Sequence, residues 1–180
     1  MKDILTNSYN KSSSNYDEQF KELQWKKYNA LDDFFQVKKR KMFLDAGAGT
    51  GLLYEYLNKK YPAWCSFYNG VDISPGMIRE GQKKSIPHLS IMDIEELNYP
   101  HNYFDYVFSF TVIGLLDQSV NSALTEINRV LKKEGILVFS ILKKNVTNNI
   151  YEEIGNTNFS LLNTFDHGQD FFFLCKNIKK

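Results

Sequence analysis

Three glycines alternate at positions 47, 49 and 51 in Leu44-Asp45-Ala46-Gly47-Ala48-Gly49-Thr50-Gly51, directly after a short apolar run and directly before a helical pattern. Glycine admits positive φ and lets a ligand approach the backbone with no Cβ in the way. The helix that follows offers free N–H groups at its start. A strand, a glycine turn and a helix in this order open a parallel α/β sheet, whose ligands lie over the carboxyl ends of the strands. The spacing narrows the ligand. A dinucleotide fingerprint needs G-x-G-x-x-G, and from Gly47 and Gly49 the third glycine would fall on position 52, which is Leu52. No Gly-Lys-Ser/Thr follows, so a phosphate-binding loop of that kind is excluded. Asp45 suits a cation better than a pyrophosphate. It stands where it can attract the ammonium of an amino acid, directly or through water.

The rest of the chain extends the same architecture. Met42–Asp45 is the first strand, Thr50–Lys60 a helix, and Phe67–Asp72 a second strand. Ser74-Pro75 starts the next helix, with serine at the N-cap and proline in the first turn, where its missing N–H costs nothing. Leu89–Met92 and Phe104–Phe110 read as the third and fourth strands. Val120, Leu124, Ile127 and Leu131 recur at steps of 4, 3 and 4, an amphipathic helix, with Gly135 as its stop and Ile136–Leu142 as the fifth strand. A weaker helix covers about Val146–Ile154, ended by Gly155. Phe159–Phe165 and Phe171–Cys175 are separated by a loop too short for a crossover helix, so they pair antiparallel. The fold class is α/β, a doubly wound and mostly parallel sheet with helices on both faces.

Residues 42–180 form this domain, and residues 1–41 precede it. Within that leading part, 1–16 are rich in Asn, Ser and Lys and read as mobile without a ligand. From Asp17 the pattern is helical, with Phe20, Leu23, Leu31 and Phe34 on one stripe and Trp25, Tyr28 and Phe35 beside it. The basic run Lys38-Lys39-Arg40-Lys41 suits a helix C-terminus.

The 180 residues fit one domain, with 14 Phe and 11 Tyr for its core. Lys and Arg number 22 against 21 Asp and Glu, so no strong global field favours nucleic acid or an anionic membrane. Cys65 and Cys175 lack metal-ligand spacing and read as reduced, packed thiols. The polar N-terminus lacks a signal-peptide core, and the longest apolar stretch, Tyr106–Leu116, is short for a membrane span. These features point to a cytoplasmic protein without a metal site.

The ends of the next strands carry further acids. Asp72, in Val71-Asp72-Ile73, is placed to accept from two ribose hydroxyls. Asp93, in Met92-Asp93-Ile94, is placed to accept from an adenine amino group, with Ile73 and Ile94 flanking the base. Phe104-Asp105-Tyr106-Val107-Phe108-Ser109-Phe110 returns to the centre of the site. Taken singly, Asp72 and Asp93 are as compatible with loop or turn roles; their order and shared position at strand ends carry the signal.

These stretches resemble the motifs of class I S-adenosylmethionine-dependent methyltransferases, especially the small-molecule branch similar to ubiquinone and menaquinone biosynthesis enzymes. The resemblance runs from about Met42 to Cys175. Residues 44–51 look like the first motif, and Val71-Asp72-Ile73-Ser74-Pro75-Gly76-Met77-Ile78 like the second. Asp93 with Ile94 matches the third and residues 104–110 the fourth. Glu126–Leu137 is similar to the helix and strand that follow. The resemblance implies S-adenosyl-L-methionine as cofactor and a Rossmann-like sheet of order 3-2-1-4-5-7-6 with the last strand antiparallel. It implies that Asp45, Ala46, Gly47, Gly49 and Gly51 surround the methionine moiety. Asp72 would hold the ribose, Asp93 and Ile94 the adenine with Ile73 beside the base, and Ser109 and Phe110 would border the sulfonium end; Met77 is also counted among the cofactor-binding residues. Two departures stand out. Related sequences often carry a histidine soon after the fourth strand, where this chain has Thr111-Val112-Ile113-Gly114. The fourth motif is neither the Asn/Asp-Pro-Pro-aromatic form of amide and adenine N-methylases nor followed by a Pro-Cys nucleophile.

Methyl transfer from a sulfonium is an in-line displacement that needs alignment and exclusion of water. A general base is needed only for an acceptor protonated at neutral pH, so no catalytic residue is assigned. Acceptor-side candidates are Thr111 with the loop to Asp117, Lys143 with Lys144, and His167. Tyr9 and Tyr16 are candidates for a lid formed by the N-terminal segment. Lys59-Lys60, Lys83-Lys84, His88, His101 and Lys132-Lys133 precede strands and belong on the opposite rim, which favours a small-molecule acceptor over RNA. An RNA or protein methyltransferase, or a catalytically silent S-adenosylmethionine-binding module, remains the alternative; a nicotinamide dehydrogenase is disfavoured by the glycine spacing.

Overall fold

The computed structural model describes residues 2–35, 41–114 and 120–179. Its seven strands are β1 (Phe43–Ala46), β2 (Tyr68–Asp72), β3 (Leu89–Ile91), β4 (Phe104–Phe110), β5 (Leu131–Leu142), β6 (Phe159–His167) and β7 (Asp170–Asn177). They form one sheet in the order β3-β2-β1-β4-β5-β7-β6. Strands β1 to β5 pair in parallel. Strand β7 runs antiparallel to both β5 and β6. The order and the sense of the last strand agree with the expectation from the sequence.

Alternation along the central strands explains why both faces must be covered, since side chains of successive residues point to opposite sides. Val107 of β4, Leu137, Phe139 and Ile141 of β5, and Phe173 of β7 pack with Leu124 and Ile127 of α6 (Asn121–Val130) and with Ile150 and Ile154 of α7 (Ile150–Asn156). Phe108 and Phe110 of β4, Val138 of β5 and Phe172 of β7 face an aromatic layer on the other side. That layer holds Tyr28 of α2 (Tyr16–Asn29), Phe35 of α3 (Asp32–Phe35), Tyr56 of α4 (Leu52–Lys60), and Trp64. The indole N–H of Trp64 donates to the Phe35 carbonyl at 2.8 Å. Both cysteines are free thiols, Cys175 buried in the first layer and Cys65 half-buried.

Four local readings change. Residues 2–12 form a helix, α1 (Lys2–Ser12), rather than a mobile tail. Its Asn10 side chain explains why: Oδ1 accepts from the Ser74 hydroxyl at 2.8 Å and from the Gly76 N–H at 2.7 Å. Thus α1 adds a second cap to α5 (Pro75–Lys83), whose own N-cap, Ser74, accepts from the Met77 N–H at 3.2 Å. The helix after Asp17 stops at Asn29 and resumes as α3. Its buried face is Gln24, Lys27 and Tyr28, while Phe20 and Leu23 are 37 and 38 % exposed. Gly135 does not end α6, which stops at Val130; the chain enters β5 at Leu131. Register then shifts between the Phe104–Leu131 and Tyr106–Ile136 pairs, a bulge that absorbs Lys132–Gly135. The late helix begins at Ile150 instead of Val146. The basic residues Lys38–Arg40 and the loop residues Leu115–Asp117 lie outside the described residues.

Polar ties fix α2 to the glycine turn. The Thr50 hydroxyl donates to Asp17, Lys84 pairs with Asp17 at 2.6 Å and Glu55 at 2.5 Å, and Lys21 pairs with Glu55.

Candidate active site

The turn after β1 is built by the backbone. The N–H groups of Gly47 and Ala48 both donate to the Val71 carbonyl at 2.8 Å, which ties the tip of β1 to β2. Gly47 has φ +90°, and a Cβ there would sit 2.1 Å from Cγ2 of Val112. Gly49 has φ +55°, and a Cβ there would meet nothing within 4 Å. The first glycine is therefore required by the fold, and the second leaves open space on the ligand side. Gly51 (φ +83°) is walled by Ile86 at 2.9 Å, so its role is also structural.

The Asp72 carboxylate at the tip of β2 braces this turn. One oxygen accepts from the Gly49 N–H at 2.9 Å and the other from the Ser74 N–H at 2.8 Å. Burial raises its pKa, and the two N–H groups oppose that rise. A cleft of about 520 Å³ opens beside it, over the carboxyl ends of the strands. Gly47, Gly49, Asp72, Ile73, Met77, Asp93, Ile94 and Phe110 line it, eight of the residues expected for the cofactor. Asp93 also accepts from the Glu95 N–H at 3.0 Å, so its turn role and its place on the cleft coexist. The opposite wall comes from α1 and α2, including Tyr9 and Tyr16. Burial raises the phenol pKa of both, that of Tyr16 to about 12, so they line the cleft as neutral hydroxyls.

Asp45, Ala46, Gly51 and Ser109 do not line the large cleft. Ala46 is fully buried, and its carbonyl accepts from the fully buried Ser109 hydroxyl at 2.9 Å, a brace between β1 and β4. Asp45 is 3 % exposed and borders a recess of about 30 Å³ next to the cleft, with Tyr16, Gln24, Tyr28, Gly47 and Gly49. It accepts from the Tyr68 hydroxyl at 3.0 Å. Burial raises its pKa to about 7, the Tyr68 hydrogen bond opposes the rise, and Asp72 adds to it. In the same recess the Gln24 Oε1 atom is buried with no hydrogen-bond partner. An acid held near neutrality and an orphaned acceptor side by side match a cationic ligand group.

The Asp45 shift has a measurable consequence. Unfolded, the carboxyl loses its proton near its usual 3.8; folded, it keeps the proton to about 7. Its contribution to stability therefore declines as pH rises from about 4 to 7. Asp45→Asn is expected to gain about 2–4 kcal/mol at pH 8 relative to its effect at pH 4, read from urea unfolding at the two pH values. Equal effects at both would show that Asp45 is not held protonated.

The acceptor-side expectations separate. Thr111 lines the cleft. Lys143 is exposed and pairs with Asp166 at 3.2 Å, and His167 packs against Phe172; neither lines the cleft, because the tight Gly168-Gln169 turn carries them along the sheet edge. The largest omission from the sequence reading is a cluster around Thr111. Lys27, whose side chain is 4 % exposed, places Nζ 2.7 Å from Asp170, itself fully buried. The same ammonium donates to the Thr111 hydroxyl at 2.7 Å. That hydroxyl donates to Asp170 at 2.8 Å, and Ser140 also donates to Asp170 at 3.0 Å. Thr111 is held at φ +59°, a strained conformation for a β-branched residue. Lys27 has no role in the sequence reading, and no local pattern marks it as buried.

His101, Arg129, Lys132, Lys133 and Lys179 border a separate basic depression that shares no residue with the cleft, on the rim where the sequence reading placed His101 and the lysine pair. Among the described residues no group of three or more His, Cys, Asp or Glu is arranged to hold a metal, and no helix is long and apolar enough to cross a membrane.

The family model described as the methyltransferase domain matches residues 44–139. Malonyl-[acyl-carrier protein] O-methyltransferase of Acetivibrio thermocellus is 31 % identical over 144 residues, which cover 77 % of this chain and 49 % of that protein. An aklanonic acid methyltransferase of a Streptomyces species is 31 % identical over 144 residues, 76 % of this chain and 64 % of the relative. The chain thus spans about half the length of the first of these curated relatives. In fold, it is similar to a methyltransferase in complex with the Trm112 activator of Haloferax volcanii, with TM-score 0.78 and 13 % identity, covering 95 % of this chain and 98 % of that one. A TehB-like S-adenosylmethionine-dependent methyltransferase of Corynebacterium glutamicum gives TM-score 0.71 and 22 % identity, covering 93 and 98 %. With its glycine turn, strand-end acids and sheet order in place, the chain belongs to the methyltransferase domain family of class I, S-adenosylmethionine-dependent enzymes.

Proposed function

We propose that the chain transfers the methyl group of S-adenosylmethionine to a small acceptor bearing a carboxylic acid. The observation that carries the donor half is the pairing of open space at Gly49 with the Asp72 carboxylate beside it. The residues present fit the donor. Asp72 would hold the ribose, Ile73, Asp93 and Ile94 the adenine, and Gly47, Gly49, Gln24 and Asp45 the amino-acid end. When bound, the donor supplies a methyl group already activated by the positive charge on sulfur. The cleft volume lies within the range of small-molecule sites. Helix α1, carrying Tyr9, acts as a cover that keeps water from the reacting atoms.

The acceptor half rests on chemistry. A carboxylate oxygen can attack the methyl carbon with its lone pair while the carbon–sulfur bond breaks and its electrons pass to sulfur. No proton has to be removed, so a carboxylate needs no general base. The two relatives named above act on a malonyl group and on an acid. The protein's tasks are then alignment and desolvation.

Two measurements test this. Titration calorimetry with S-adenosylmethionine, S-adenosylhomocysteine and NAD is expected to show micromolar binding of the first two and none of the third. Labelled methyl transfer into cell extract, separated into small molecules, RNA and protein, is expected to mark the small-molecule fraction, in base-labile ester form. Label confined to RNA or protein would replace the acceptor reading and leave the donor reading standing.

A further inference from the structure

The cleft is electrically lopsided. Asp72 and Asp93 stand at the tips of β2 and β3, and Asp45 borders the recess at β1. Lys27 is the one basic side chain lining the cleft among the described residues, and it sits with Thr111 at the tip of β4. Tips of β2 and β4 are two strand spacings apart, about 10 Å. A donor with a cationic end belongs on the acidic side, which leaves the Lys27 side for the acceptor.

Lys27 is held rather than free. An ammonium has three N–H donors. One lies on the Thr111 hydroxyl at 2.7 Å, while Asp170 Oδ2 stands 2.7 Å from Nζ as an ion-pair partner outside hydrogen-bonding geometry. The Asp170 carboxylate is in turn occupied by Thr111 and Ser140. The Thr111 N–H donates to the Ser140 carbonyl at 3.0 Å, and the cluster keeps Thr111 in its strained backbone conformation. Such strain persists only where the surroundings over-determine it, and it gathers at ligand clamps. Beyond the Thr111 hydroxyl, Lys27 donates no hydrogen bond among the described residues, and the side chain borders the cleft. An ion pair screens its own long-range field, so what it offers a ligand is one short-range, directional, charge-assisted donor.

We infer that Lys27, pinned by Asp170 and Thr111, is the specificity-determining residue that takes one oxygen of the acceptor carboxylate and leaves the other to meet the methyl group. This rests on the proposed donor site but is tested apart from it. A bulk anion attraction is not required; an uncharged isostere of the acid keeps only the ammonium's charge in that bond and binds less tightly.

The experiment measures binding as well as turnover. S-adenosylhomocysteine is titrated first, and its dissociation constant reports the donor site alone. Onto that complex a panel of aryl and alkyl carboxylates is titrated beside the matched primary amides. The intact protein is expected to bind the preferred acid about tenfold more tightly than its amide. Lys27→Met should erase that preference, raise KM more than it lowers kcat on the preferred acid, and leave the S-adenosylhomocysteine constant unchanged. Lys27→Arg should restore part of the preference. Lys27→Met leaves Asp170 buried without a counter-charge, so the Lys27→Met/Asp170→Asn pair is measured as well; it removes both charges and keeps an oxygen for Thr111 and Ser140. An acid preference that survives in the double variant, or an intact protein that binds no acid better than its amide, overturns the assignment. Failure to bind S-adenosylhomocysteine would instead condemn the donor site.

Discussion

Asp72→Ala is expected to weaken S-adenosylhomocysteine binding by about 100- to 1,000-fold while the protein stays folded. The carboxylate sits at the tip of β2 and lines the cleft, with each oxygen already fixed by one backbone N–H, from Gly49 and from Ser74. Those two bonds pre-orient it, and each oxygen keeps a second lone pair for a ribose hydroxyl. On the proposed donor site, removing it would delete two charge-assisted bonds to the ribose and loosen the Gly49 turn. Two such bonds, each near the lower end of roughly 1.5–3 kcal/mol, set the size of the effect. The Gly49 N–H borders the cleft, where water can reach it, while the Ser74 N–H is buried and its lost partner costs about 1–3 kcal/mol, a loss short of unfolding. Asp72→Asn, which keeps an acceptor on one side and loses the charge, should fall between the two. Calorimetry gives the constants and thermal melting verifies the fold. An unaltered constant in the alanine variant would remove the nucleoside from this cleft.

Gly47→Ala is expected to cost about 3–5 kcal/mol of stability, the largest loss from any single methyl in this region. Two penalties add. The backbone at φ +90° disfavours any L side chain by roughly 1–2 kcal/mol. The new Cβ would also overlap Val112, whose Cγ2 lies 2.1 Å from its position. The parts can be separated. Val112→Ala removes both Cγ atoms and leaves the Val112 Cβ at 3.1 Å. The Gly47→Ala/Val112→Ala pair should therefore retain the backbone strain and regain most of the rest. Gly49→Ala faces only the conformational penalty, since its Cβ points into open space, yet it narrows the ligand side of the turn. Denaturant unfolding of the four proteins measures the cycle. If Gly47→Ala proves as mild as Gly49→Ala, the close approach of Val112 is not a constraint on the turn.

The contrast between these glycines shows what can be read in advance and what cannot. The alternating pattern told of a turn, and its failure to match G-x-G-x-x-G argued against a dinucleotide. Which glycine has open space beside it depends on Val112 and Ile86, loop residues distant in sequence from the turn. The mostly parallel sheet and its antiparallel final pair were legible in the apolar runs and the short last loop, whereas the strand order came from the resemblance of the motifs to a known family. The strand-end acids were legible because topology places such positions on one rim. Ser109 lies off the cleft because a serine at the end of an apolar strand can turn either into a site or onto a neighbouring carbonyl, and the Ala46 carbonyl lies within reach. The helix α1 was missed because its sequence has little apolar content; it is held by Asn10 capping another helix, a tertiary bond that no local propensity reveals. Lys27 was missed because its partner, Asp170, lies 143 positions away (170 − 27) in the chain. A lysine beside another lysine near a helix end carries no mark of burial until that partner is in place.

The position of β7 gives this cluster a temporal character. Strand β7 is inserted between β5 and β6, and Asp170 is its first residue. During synthesis, α2 and β1 to β5 emerge well before it. An incomplete chain would hold the ammonium of Lys27 against the sheet with no counter-ion, an arrangement that strongly disfavours compaction there. The Thr111 side of the cleft is therefore complete only once the β6–β7 hairpin has docked along the β5 edge, and a C-terminally clipped chain would lack the counter-ion that holds Lys27.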